Sequence, residues 1–98
     1  MKKSTIHFEV ELDQDNIPEK ITWHASDNPE SDQPQITKSA SIALWDHKIK
    51  QTLRIDVWSK DMPIDEMKKY YIDMIGGLSQ SVLNATGDEF MSNEMKNI

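Results

Sequence analysis

The chain has 98 residues, no cysteine and a formal net charge of −6, with eleven Lys and Arg set against seventeen Asp and Glu. The missing cysteines exclude a disulfide framework, a thiolate zinc site and a cysteine nucleophile. Scattered cations in an acidic chain argue against nucleic acid, which needs clustered Lys and Arg. A single domain over residues 1–98 can bury about 60–70 % of its unfolded surface without staples.

Met1-Lys2-Lys3 looks like the start of an export signal, but no apolar core follows it. Ile6, Phe8, Val10 and Leu12 instead alternate with polar residues, which predicts a half-buried strand. No stretch approaches the ~20 apolar residues of a spanning helix. The expected location is therefore the cytoplasm, with no direct membrane insertion. A polar turn over 13–16 leads to a second strand in which Ile21, Trp23 and Ala25 alternate with Thr22, His24 and Ser26. If Val10 pairs with Trp23, Glu9 faces His24 across this hairpin. Residues 27–35 hold two prolines and no apolar residue, and read as a mobile connecting loop.

A third strand is expected over about 36–45 and a fourth over about 52–58, joined by the turn Asp46-His-Lys-Ile-Lys50. Pairing them puts Ala40, Ile42, Leu44, Leu53, Ile55 and Val57 on one face. Ser41, Ala43, Trp45, Thr52, Arg54, Asp56 and Trp58 take the other. Sequential strands with short links favour an antiparallel meander in the order 1-2-3-4.

A long helix then begins near Pro63, whose missing amide proton suits the first turn. Asp61, Asp65 and Glu66 lie at the positive end of its dipole. Ile64, Met67, Tyr71, Met74, Ile75, Leu78, Val82 and Ala85 form an apolar stripe expected to pack on one face of the sheet. A second, smaller stripe, Ile72, Gly76, Ser79 and Leu83, leaves a groove that the C-terminal helix or a slight kink is expected to fill, with another subunit as the alternative. Gly87 marks the stop, and Asp88 caps a short final helix with Phe90, Met91 and Met95. The fold class is thus α+β: a four-stranded antiparallel meander, one long helix on one face, and a short final helix.

Catalytic signals are weak. His7, His24 and His47 lack metal-ligand spacing, and a Glu9–His24 pair reads as exposed charge of little energetic worth. No serine sits in a nucleophile elbow, and glycines are too few for a phosphate loop. Asn84-Ala-Thr86 matches a glycosylation acceptor but falls inside the long helix. No catalytic, cofactor-binding or metal-binding residue is assigned, and the chain is not expected to be an enzyme. The outer sheet face is the candidate contact surface, with Trp45 and Trp58 on adjacent strands near Arg54 and His24. Trp and Arg desolvate large areas while keeping polar handles, which suits protein contacts. A terminal segment covering the two tryptophans is the competing use of that face.

Met1 to Asp13, Ile17-Pro-Glu-Lys-Ile-Thr-Trp23, Ile42-Ala-Leu-Trp-Asp46 and Leu53 to Met67 resemble the gliding motility-associated GldC family over nearly the whole chain. The most specific part is Trp58-Ser-Lys-Asp-Met-Pro-Ile-Asp-Glu-Met67. The resemblance implies a small soluble accessory component of bacterial gliding, without catalytic residues to carry over. Relatives are expected to continue somewhat past Ile98. Its implied partners are other gliding or secretion machinery proteins, and self-association through the outer sheet face or the helix is a further expectation. An alternative is an oligomeric chaperone or assembly factor for the linked secretion machinery, because strands followed by a long helix are similar to the SecB-like architecture.

Overall fold

The computed structural model describes residues 1–27 and 33–98. The chain divides into two units, Met1–Met62 and Pro63–Ile98, each taken by itself. Most of the expected connection over 27–35 falls on 28–32, outside the described residues.

In the first unit, alternating apolar residues build β1 (Ile6–Leu12) and β2 (Pro18–Ala25), which pair antiparallel. Their register is Val10 with Ile21 and Phe8 with Trp23, two residues away from the expected Val10–Trp23 pairing. The turn explains the difference. Asp13 Oδ1 accepts from the Asp15 and Ile17 amides, at 2.8 and 3.1 Å, and Asn16 takes a left-handed φ of 62°. An irregularity between Glu11 and Leu12 then shifts the ladder. Glu9 consequently stands opposite Thr22, and His24 stands opposite His7.

The expected single four-stranded meander is corrected: there are five strands in two sheets. The third strand is broken at Lys38 into β3 (Gln35–Thr37), which pairs with β2, and β4 (Ser39–Asp46), which pairs with β5 (Gln51–Trp58). Two contacts hold the break. The Thr37 hydroxyl donates to the Ser39 carbonyl at 3.0 Å, a local bond that competes with the ladder. The Lys38 carbonyl meanwhile accepts from the Ser59 amide at 2.8 Å. A strand that bends between two sheets in this way turns a corner of the fold. Among the described residues Ile21, at the centre of β2, is the one apolar side chain with no exposed surface.

In the second unit, α1 (Ile64–Thr86) starts after Pro63 with Asp65 and Glu66 in its first turn, and stops at Gly87. Gly87 adopts φ 73°, and its amide donates to the Leu83 carbonyl at 2.9 Å. Asp88 then caps α2 (Glu89–Lys96) by accepting from the Met91 amide at 2.9 Å. The short helix covers the small-residue groove at Ser79 only; Ile72 stays 70 % exposed, and a cavity of about 340 Å³ lined by Ile72, Gly76, Ser79 and Met95 remains beside it. Ser79 and Ser92 are buried where α1 meets α2, and the Ser92 hydroxyl donates to the Ser79 carbonyl at 2.7 Å. Ser79 in turn donates to the Gly76 carbonyl at 2.6 Å, so both buried hydroxyls are satisfied.

Candidate functional site

The faces of the β4–β5 hairpin are as expected from period-2 alternation. Its register, Ser39 with Trp58, Ser41 with Asp56, Ala43 with Arg54 and Trp45 with Thr52, puts Trp45, Arg54 and Trp58 on one face. Trp45 is 64 % exposed and Trp58 47 %. Between them Arg54 Nη2 donates to Asp56 Oδ2 at 2.9 Å. The Ser41 hydroxyl and then Arg54 hold the Asp56 carboxyl below its ordinary value of 3.8. The surface therefore carries two aromatic ends around an internally neutralised centre.

Trp45 and Trp58 lie on adjacent strands as expected, but His24 does not join them. The two tryptophans lie at opposite ends of the hairpin face, because Trp58 sits opposite Ser39, six steps of β4 from Trp45, about 20 Å along a strand. His24 belongs to the three-stranded sheet and not to β4–β5. Its ring stacks on His7 with centroids 5.0 Å apart, and His7 Nε2 lies 3.1 Å from Glu9 Oε1. The structure thus puts Trp45, Arg54 and Trp58 on one face, with the tryptophans at its two ends, and places His24 in the other sheet.

Beside Trp58 lies a groove of about 320 Å³, lined also by Ile17, Pro18, Asp56, Val57 and Lys60. The segment after β5 that borders it is tied to the β1–β2 turn and to the bend at Lys38. The Lys60 amide donates to the Pro18 carbonyl at 2.9 Å, and Lys60 Nζ lies 3.0 Å from Asp13 Oδ2 and 3.5 Å from Glu19 Oε1. Asp61 accepts from Lys38 Nζ at 2.6 Å and from the Ser59 hydroxyl at 2.7 Å. Ile17, Pro18 and Lys60 carry no sequence signal for this groove except the opposite charges of Asp13 and Lys60, far apart in the chain.

These ties set a pH window. The Ile17 amide, then Lys60, holds Asp13 below 3.8, and Lys38, then Ser59, does so for Asp61. Depressed carboxylates stabilise the fold above 3.8, and the contribution is lost as pH falls through their folded values. Asp13 chiefly raises Lys60 above 10.5, so the stabilisation from Lys60 is complete below 10.5 and is lost as pH rises through the folded value. Lys60→Gln is expected to reduce both the alkaline and the acid limbs in thermal midpoints measured against pH, with Lys69, raised by Asp73, keeping part of the alkaline one. An unchanged profile would refute the assignment.

Among the described residues no three His, Cys, Asp or Glu side chains are grouped to hold a metal ion. No helix among them is long and apolar enough to cross a membrane. The described features are a sheet surface with aromatic ends and a strand-to-helix segment knotted to its own sheet.

Comparison with known families decides what that segment belongs to. The model of the family described as "Gliding motility-associated protein GldC-like" matches residues 18–98. The chain belongs to the GldC-like family. This match confirms the resemblance carried by Trp58 to Met67, and associates the chain with gliding motility. No curated protein and no solved structure matches the chain. For this GldC-like chain, Ser59, Lys60 and Asp61 of the signature have a structural explanation, since they tie β5 to the start of β2 and to the bend at Lys38. Trp58 alone in the tie also faces outward on the candidate surface.

Proposed function

We propose that this chain is a noncatalytic accessory protein of gliding motility that works in the cytoplasm through protein contacts on the Trp45–Arg54–Trp58 face. Its partner is another protein of the motility apparatus or of the secretion system linked to it. The observation that carries the reading is the joint exposure of two tryptophans around a salt-bridged Arg on one sheet face of a GldC-like chain. Large aromatic side chains and Arg dominate the energetics of protein interfaces, whereas scattered exposed aliphatics do not.

The test is affinity capture from gliding cells with the tagged chain as bait. Trp45→Ala and Trp58→Ala are each expected to weaken the captured contact by about 2 kcal/mol or more. Circular dichroism should stay unchanged, because both side chains already stand in solvent. Capture of the same motility protein at full strength by both variants would sink the proposal. Retention of any unfolded chain offered to the bait, with no motility protein among its partners, would instead favour the chaperone alternative.

A further inference from the structure

β5 is a sheet edge whose outward groups from Thr52 to Asp56 lack the usual protection, while just beyond its Trp58 end the Lys60 amide is already taken by the Pro18 carbonyl. Among the described residues its ladder partner is β4 alone, and the eight pairs run without a register shift. It contains no Pro, Gly or Lys, the residues that commonly blunt such an edge. β1 differs, with an irregularity between Glu11 and Leu12 and two outward glutamates. In an acidic chain β5 is also locally neutral, because Arg54 and Asp56 balance.

The direction of its free hydrogen-bonding groups follows from the ladder. The Ser59 amide donates to the Lys38 carbonyl, one step beyond the Trp58–Ser39 pair. Alternate residues of an antiparallel strand bond to alternate sides. Val57, Ile55 and Leu53 therefore address β4, and Trp58, Asp56, Arg54 and Thr52 turn their amides and carbonyls to the open edge.

We infer that β5 pairs antiparallel with β5 of a second copy, about a twofold axis at Ile55. Self-pairing through the outward residues leaves three central registers. One sets Arg54 against Arg54 and another Asp56 against Asp56, and like charges directly opposite are destabilising. The third sets each Arg54, already joined to Asp56 of its own chain, against Asp56 of the second copy, so opposite and not like charges face each other on both sides of the axis. The same register places Thr52 opposite Trp58 and Leu53 opposite Val57. The Thr52 end of the incoming strand arrives at the groove lined by Ile17, Pro18 and Trp58.

Two consequences make this register more than a charge match. A lone two-stranded hairpin is marginal in water, and self-pairing converts it into a four-stranded sheet. The aliphatic face of Ile42, Leu44, Leu53, Ile55 and Val57 becomes continuous across both copies. On the other face, Trp58 of one copy stands opposite Thr52 of the other, which already neighbours Trp45. Tryptophans held apart within one hairpin are thereby brought to one strip between copies. The inference does not depend on the identity of any motility partner.

Sedimentation or light scattering of the purified chain tests it, with no other protein present. The wild type is expected to dimerise as concentration rises. Arg54→Asp and Asp56→Arg should each weaken self-association on the order of tenfold to a hundredfold, because two attractive pairs become two repulsive ones. Mixing these two variants should restore a heterodimer, and the double variant Arg54→Asp/Asp56→Arg should dimerise by itself. Circular dichroism and thermal melts confirm that each variant is folded. A wild type that stays monomeric at all concentrations overturns the proposal, as does a dimer that both single variants retain at wild-type strength.

Discussion

Ile21→Ala is expected to destabilise the Met1–Met62 unit by about 2–5 kcal/mol. Ile21 occupies the middle of β2, flanked in the ladder by Val10 on one side and Thr37 on the other, and has no exposed surface. Removing its branched end loses transfer free energy and leaves a cavity among strands that cannot easily close on it. Small domains hold only about 5–15 kcal/mol in total, so a loss of this size is a large share. Ile36→Ala provides the internal comparison. Ile36 lies on the neighbouring strand but is 67 % exposed, and its change should stay within about 0.5 kcal/mol. All three tryptophans fall in this unit, so fluorescence-monitored urea unfolding reports on it alone. Equal midpoints for the two variants would show that Ile21 is not its core.

What the sequence made legible here was local, and what it hid was non-local. Pro63, Gly87 and Asp88 act within a turn of their own positions, so the helix limits and the cap of α2 could be read from residue chemistry. The two faces of β4–β5 were equally readable, because alternation with period 2 and a short turn leave one sensible pairing. The β1–β2 register was not, since it depends on the left-handed backbone of Asn16 and on the irregularity at Glu11. Asn tolerates that conformation without announcing it. The break at Lys38 was further out of reach. Its carbonyl and ammonium are engaged by Ser59 and Asp61, more than twenty residues away, and nothing in the apolar pattern of 36–45 interrupts the strand. Of the candidate surface, Trp45, Arg54 and Trp58 were readable through strand parity. Their separation and the exclusion of His24 required the register and the second sheet.

Ser59→Pro should be the most damaging single change in the family signature, costing about 3 kcal/mol or more. The Ser59 side chain is 2 % exposed, and its amide supplies the 2.8 Å bond to Lys38 that holds the break between β3 and β4. Proline removes that donor and leaves the Lys38 carbonyl without it. It also removes the hydroxyl that donates to Asp61 at 2.7 Å. Asp61→Asn should be mild by comparison. Its Lys38 partner is about half exposed, and solvent-exposed ion pairs typically contribute about 0–1 kcal/mol. The contrast separates two accounts of why this stretch characterises the family. If the stretch is a structural tie, Ser59→Pro lowers the unfolding midpoint of the first unit far more than Asp61→Asn. Motility-protein capture by Asp61→Asn should then stay near the wild-type level, since Trp45 and Trp58 remain in place. If instead Asp61→Asn abolishes capture without loss of stability, the acidic end of the signature is itself a contact, and the partner surface must extend from Trp58 around the end of β5.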